Sequence, residues 1–183
     1  MAMPYCWSDI DKGQNICIDD EVRAELKGSP NQTESVQTLE PIPHGCTRYY
    51  FEVRILSNEG TDGVSIGLSR KKVSSKSSSR SKLDHASNAS TSNLSEAPIF
   101  TPYVCYSYND LIGCYVDYKA SFYFFTMNGK ILCEPITFEF NPSDQYYPTV
   151  DLKVDGAIVM ANFKEEECKF DVKGNTRYIQ LPF

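Results

Sequence analysis

His44 and Cys46 are the residues that most invite a chemical role, because a thiolate beside an imidazole is a nucleophile. Two positions apart on a loop, they read as a coincidence of sequence rather than a catalytic arrangement. The only other histidine, His85, falls in a serine-rich run. Seven cysteines (Cys6, Cys17, Cys46, Cys105, Cys114, Cys133 and Cys168) include no Cys-x-x-Cys and no cluster at ligand spacing, so neither metal nor cofactor is expected. Glu165, Glu166 and Glu167 read as a solvated turn rather than an acid/base pair. Modification has a better candidate. Arg70-Lys71-Lys72-Val73-Ser74 has the form of a basophilic kinase site, in which a phosphate on Ser74 would offset local positive charge. No catalytic residue emerges, and the chain reads as a non-enzyme.

Several of the cysteines lie inside apolar strands, where free Cys acts as a small hydrophobe, and a reducing compartment fits best. The first eight residues carry no cationic region or apolar run, so no signal peptide is expected, and the sequons at Asn31, Asn88 and Asn93 would matter only on secretion. No window reaches the about 18 apolar residues of a membrane span. A cytoplasmic or nuclear location follows as the expectation, and the abrupt start suggests a fragment or isoform of a longer protein. Charge is uneven. Residues 70–82 hold six cations and no acid, so of the total of −6 the remainder carries −12. An acidic body argues against broad nucleic-acid binding.

The segments between these residues are short and strand-forming. Tyr (12) and Phe (10) are abundant, no segment holds a 3.6-residue apolar period, and turn signals recur every 8–12 residues. Strands are expected at residues 15–18, 22–26, 35–39, 48–56, 64–68, from 102 to about 140, and at 146–152, 157–163 and 168–172. Pro41 and Pro43 mark an ordered loop. Asn128-Gly129 predicts a type I′ hairpin turn, because both residues tolerate φ > 0. In residues 48–56, Tyr50 and Glu52 fall on one face and Tyr49, Phe51 and Val53 on the other. Phe51, Val53, Leu68, Ile112, Val116, Phe125, Val150 and Phe163 are the expected core, each worth about 1.5–3 kcal/mol by burial. Asn162 is expected to bond neighbouring backbone. Residues 70–100 include ten serines and almost no large apolar side chains, and read as a long, mobile, basic loop. The fold class is all-β, an antiparallel β-sandwich in a single domain over residues 1–183.

Six motifs in order then resemble a SPRY domain: Tyr49-Tyr50-Phe51-Glu52-Val53-Arg54-Ile55, Ile66-Gly67-Leu68-Ser69, Asp110-Leu111-Ile112-Gly113-Cys114, Phe125-Thr126-Met127-Asn128-Gly129, Tyr147-Pro148-Thr149-Val150 and Ala161-Asn162-Phe163. Within that family the chain is most similar to the Ran-binding-protein-M type, which Trp7-Ser8, Asp11-Lys12, Lys27-Gly28, Ser35-Val36 and Pro41-Ile42-Pro43 also match. The likeness covers residues 7–69 and 102–172. Three departures stand out: the serine-rich run replaces an aromatic, glycine-rich strand pair, Asn109-Asp110 stands where Gly-Asp is usual, and Lys164-Glu165-Glu166 where Gly-Gln is usual.

The resemblance implies a protein–protein interaction module that grips short peptide segments of partners with loops at one end of the sandwich. The matching positions are Pro41, Ile42, Pro43 and His44, the approach from Tyr103 to Tyr106, and Lys153, Val154, Asp155 and Gly156. It further implies an adaptor or substrate-recruiting role in a CTLH-type ubiquitin ligase, with ligase subunits among the partners. Two alternatives remain open: a nuclear, chromatin-associated or polyanion-binding protein acting through the basic run, and a secreted effector-like SPRY protein. Membrane is not an expected partner, and nucleic acid is disfavoured.

Overall fold

The computed structural model describes residues 3–28, 33–57, 63–71 and 106–174, together with the backbone of 99–100. The serine-rich run beyond residue 71, Ser74, Tyr103 and the three sequons therefore lie outside the described residues. Among those described, thirteen strands are present: β1 (Trp7–Lys12), β2 (Ile16–Asp19), β3 (Arg23–Leu26), β4 (Glu34–Thr38), β5 (Arg48–Ile55), β6 (Val64–Lys71), β7 (Ile99–Phe100), β8 (Leu111–Asp117), β9 (Phe122–Met127), β10 (Lys130–Ile131), β11 (Ile136–Thr137), β12 (Gln145–Leu152) and β13 (Ile158–Asn162). They form two antiparallel sheets. One has the order β1-β4-β12-β6-β7; the other runs β10-β9-β8-β5-β13-β3-β2, with β11 added on β9. The sole helical element among the described residues is one 3₁₀ turn at Glu165–Glu167.

Period-two alternation decides what the sheets enclose. Tyr49, Phe51 and Val53 of β5 point into the core between the sheets, with Ile112, Val116, Phe125, Leu68, Val150 and Phe163. All eight expected core residues are in that cluster. Tyr50 points the other way, into a second cluster with Tyr115, Phe122, Phe124, Phe170 and Val172 on the outer face of the eight-stranded sheet. Trp7 seals the N-terminal edge. Its indole donates to the Val22 carbonyl at 2.6 Å, and its ring meets Phe163 edge-on at 5.1 Å. Ser8 follows, and its Oγ accepts from the Asp11 amide at 3.0 Å where β1 loses register with β4. The Trp-Ser-x-x-Asp-Lys motif thus has a packing role and a bulge role.

Local turn chemistry behaves as its residues dictate. Asn128 and Gly129 have φ of 54° and 81°, and Met127 pairs with Lys130 across them, as a type I′ turn requires. Asn109 has φ of 71°, which explains why glycine is usual there and why Asn, tolerant of the left-handed region, replaces it. Pro148 lies one residue before the registered pairing of β12 with β4 begins at Thr149, so its missing N–H disrupts no ladder there. Asn162 Oδ1 accepts from the Lys164 amide at 3.0 Å, the expected local backbone bond.

Three segments depart from expectation. Trp7–Lys12 forms β1 where no strand was expected. The loop expected over residues 70–100 gives Arg70 and Lys71 to β6, where they pair with Tyr146 and Gln145, and gives Ile99–Phe100 to β7. Residues 168–172 form no strand. They cross the outer face of the eight-stranded sheet as a strap, held by the Glu52 side chain. Glu52 is 2% exposed; its Oε2 accepts from the Lys169 amide at 2.8 Å, and its Oε1 accepts from the Phe170 amide at 3.0 Å and the Tyr50 hydroxyl at 2.8 Å. The alternation of Phe170 and Val172 mimics a strand, but it serves to plant both side chains on the aromatic face. Gly113 makes room beneath. A Cβ there would lie 2.6 Å from Tyr50 Cζ and collide with the Tyr50 hydroxyl and Thr126 Oγ1, which are themselves hydrogen-bonded.

Candidate functional site

The loops that precede β5 and β13 were expected at one end of the sandwich, and the structure places them at opposite ends. The reason is pairing: β5 and β13 are antiparallel neighbours, with Val159 opposite Ile55 and Asn162 opposite Glu52, so their starts diverge. Strand β12 spans the gap. The Ile42 amide donates to the Tyr146 carbonyl at 2.8 Å near its beginning, whereas Lys153 follows its end. Seven residues of strand separate these points by about 23 Å. No short peptide of three or four residues meets both.

At the Tyr146 end, Ile42 is 5% exposed and belongs to the core; Pro41 and Pro43 are half-buried and His44 is exposed. The Pro-Ile-Pro segment is therefore first a plug. It lies beside a nest of rings in which Tyr118 and Phe140 are 4.6 Å apart and Phe140 and Tyr146 5.3 Å apart. Burial holds the pKa of the Tyr118 hydroxyl well above that of a free phenol, making it a weaker acid. Cys46 donates to the Arg48 carbonyl at 2.8 Å instead of pairing with His44. Asp117, 2% exposed, closes the neighbouring turn by accepting from the Ala120 amide at 2.7 Å and pairing with Arg48 Nε at 3.0 Å.

At the other end, residues 153–156 form an exposed turn fixed from four directions. The Lys153 amide donates to Gly63 at 2.8 Å, the Gly156 amide to Leu26 at 2.9 Å, and the Ala157 amide to Val154 at 3.0 Å. The Gly28 amide donates to Asp155 Oδ1 at 2.7 Å. Gly156 takes φ of 75°, a left-handed position. Val154 is 41% exposed and packs on Gly63, where a Cβ would come within 2.7 Å of its Cγ2. The approach to β8 arrives at this same end, because the Asn109 amide donates to the Ile55 carbonyl at 2.8 Å. Tyr106 is 2% exposed and packs in the core, so it buttresses this end instead of offering a surface.

A third feature had no counterpart among the expected sites. Glu52, Arg54, Asn109, Leu111, Asn128, Met160, Asn162 and Lys169 contribute to a groove of about 590 Å³ on the outer face of the eight-stranded sheet. The one signal for this face was Glu52 itself, an acid inside an aromatic strand that must find hydrogen-bond donors if buried.

The six described cysteines are free thiols, and among the described residues no group of three or more His, Cys, Asp or Glu could hold a metal ion. Burial pushes the Cys114 thiol far above its usual range. For Cys168 burial, reinforced by Glu52 and the three glutamates that follow Lys164, raises it to about 12. Both are the reverse of an activated nucleophile.

Two packed antiparallel sheets that present pinned loops at their ends define a β-sandwich scaffold of the recognition class, in which the body is rigid and the loops vary. The particular family follows from sequence: the SPRY domain pattern matches residues 48–166, and the chain belongs to the SPRY domain family. Relatives agree. The chain is 35% identical over 182 residues to a Ran-binding proteins 9/10 homolog of Drosophila melanogaster, covering 92% of this chain and 18% of that protein. It is 34% identical over 189 residues to Ran-binding protein 9 of Homo sapiens, covering 96% and 25% respectively. The chain thus spans about a third or less of the length of such relatives. In fold it is similar to the SPRY domain of human HERC1, with a TM-score of 0.58 at 14% identity over 87% of this chain and 98% of that one. It is also similar to the Neuralized NHR1 domain of Drosophila melanogaster, with a TM-score of 0.52 at 13% identity over 87% and 98%. The chain is a protein-interaction module of the SPRY type.

Proposed function

We propose that this module recognises short peptide segments of partner proteins through the end of the sandwich that carries Lys153, Val154, Asp155 and Gly156. In this reading it serves, in the cytoplasm or nucleus, as the adaptor or substrate-recruiting part of a CTLH-type ubiquitin ligase scaffold. The observation that carries the choice of surface is Val154, an apolar side chain 41% exposed on a turn pinned by four hydrogen bonds. An exposed anchor that is already ordered loses little entropy on binding, which favours affinity for a small ligand. The Pro41–Pro43 plug at the far end supports the core instead, with His44 at its rim.

An array of short peptides drawn from candidate partner proteins, probed with the wild-type chain and with Val154→Asp and Pro41→Ala, tests the assignment. The expected result is a defined peptide set bound by wild type and Pro41→Ala and lost by a folded Val154→Asp. If Val154→Asp binds the same set, or if only Pro41→Ala loses it, recognition lies elsewhere. A set consisting only of acidic peptides, lost on removal of residues 72–82, would favour polyanion binding through the basic run.

A further inference from the structure

The groove on the outer face of the eight-stranded sheet has a charge and shape of its own. Its floor is a cross-strand row in which Met160 of β13 lies beside Arg54 of β5, and Arg54 beside Leu111 of β8. Met160 is 39% exposed and Leu111 half-buried, so the floor is partly apolar. The acids that line it are already occupied. Glu52 accepts from two strap amides and Tyr50, and Glu167 pairs with Lys164 Nζ at 3.0 Å. The cations are not. Arg54 Nη1 donates to the neutral Asn109 Oδ1 at 2.6 Å, and neither Arg54 nor Lys169 has an acidic partner among the described residues.

The neutral donors around Glu52 leave its charge uncancelled, so the two acids and two cations of the lining balance, on a chain that carries −12 outside its basic run. Arg54 and Lys169 are the cations of the groove, and standing outside any ion pair among the described residues they are the groups that can meet an added anion. Strands β5 and β13 are paired on both sides, and this surface offers no free backbone edge for an added strand. Recognition here must use side chains. A guanidinium matches a carboxylate in two parallel hydrogen bonds, and an ammonium supplies a second point of charge.

We propose that this groove is a second binding site, taking an acidic segment of a partner protein whose carboxylates meet Arg54 and Lys169 and whose apolar side chain rests on Met160 and Leu111. The site is distinct from the turn at residues 153–156, which lies at the end joining the two sheets, and does not depend on recognition there. The strap takes part in its construction, because Glu52 fixes the backbone of Lys169.

The test is an NMR titration of the isotope-labelled full chain with the blocked peptide Glu-Asp-Leu-Glu-Asp, with Lys-Lys-Leu-Lys-Lys as its charge-reversed counterpart. Saturable shifts are expected at the amides of Arg54, Leu111, Met160 and Lys169 with the acidic peptide alone, weakening as salt is added. Arg54→Glu/Lys169→Glu, both surface changes, should weaken binding at least about tenfold; the milder Arg54→Gln/Lys169→Gln gives the same direction should the reversal disturb folding. Val154→Asp should leave the shifts in place, so that failure here and failure of loop recognition are separable. The proposal is overturned if the groove amides show no saturable shift, if the double variant binds as wild type does, or if the shifts map to residues 153–156. Displacement of the peptide by a single-stranded oligonucleotide that binds the groove more tightly would also overturn it, by making the ligand a phosphate.

Discussion

Replacing Glu52 with Gln keeps the volume of the side chain and removes one acceptor. In the native arrangement Oε1 serves the Phe170 amide and the Tyr50 hydroxyl, and Oε2 serves the Lys169 amide. A glutamine can keep its oxygen on Phe170 and Tyr50, but its NH₂ then faces the Lys169 N–H. One part-buried donor is left without a partner, which costs about 1–3 kcal/mol. The strap holds to the sheet through Glu52 and through Phe170 and Val172, so the loss should appear as local opening. At tenfold per 1.4 kcal/mol, the Lys169 and Phe170 amides should exchange hydrogen about 5- to 150-fold faster in Glu52→Gln than in wild type. Amides of the β5–β8 ladder, such as Val116, should keep their wild-type rates in the same sample. Equal exchange of Lys169 and Phe170 in the two proteins would show that Glu52 is not what holds the strap. Equal acceleration everywhere would show that strap and sheet open as one unit.

Gly113→Ala should destabilise the chain by about 1–3 kcal/mol in urea unfolding, because a methyl there must displace the Tyr50–Thr126 hydrogen-bonded pair; an unchanged midpoint would remove that account. Asp151 accepts from Ser35 Oγ at 2.5 Å, and burial raises its carboxyl above the unfolded value near 3.8. A raised folded value means that its contribution to stability is full below 3.8 and is lost as pH rises through the folded value. Asp151→Asn should therefore flatten that part of the Tm-versus-pH curve and be the more stable protein at neutral pH, and a curve parallel to wild type counts against it. Among the described cysteines, Cys17, which is exposed, should be alkylated first by iodoacetamide, with Cys114 and Cys168 protected in the folded state. Peptide mapping that finds Cys168 labelled as fast as Cys17 would contradict the burial argument.

What could be foreseen from residues alone was whatever their near neighbours decide. Asn128-Gly129 announced its turn because both positions need φ > 0, and the two faces of β5 followed from alternation at Tyr49 to Val53. The strap could not be foreseen, since Phe170 and Val172 alternate as a strand does and the partner of their backbone is a side chain 118 positions away. The groove is long-range in the same sense: Arg54, Leu111 and Met160 become neighbours only through the order β8-β5-β13. The misplacement of residues 41–44 relative to 153–156 has the same origin. Each loop precedes a strand, and only the knowledge that those strands are antiparallel neighbours sends the loops apart.

The strap also says where this fold can be cut. The family pattern ends at residue 166, four positions before Phe170. A chain severed there, by proteolysis or by choice of a recombinant end point, would keep both sheets and every residue of the enclosed core, yet would uncover Tyr50, Tyr115, Phe122 and Phe124 together. Such a piece should be correctly folded and poorly soluble, since a contiguous aromatic surface invites self-association. A preparation that precipitates would then be reporting a misplaced terminus rather than an unstable sandwich, and extension through Val172 should restore it.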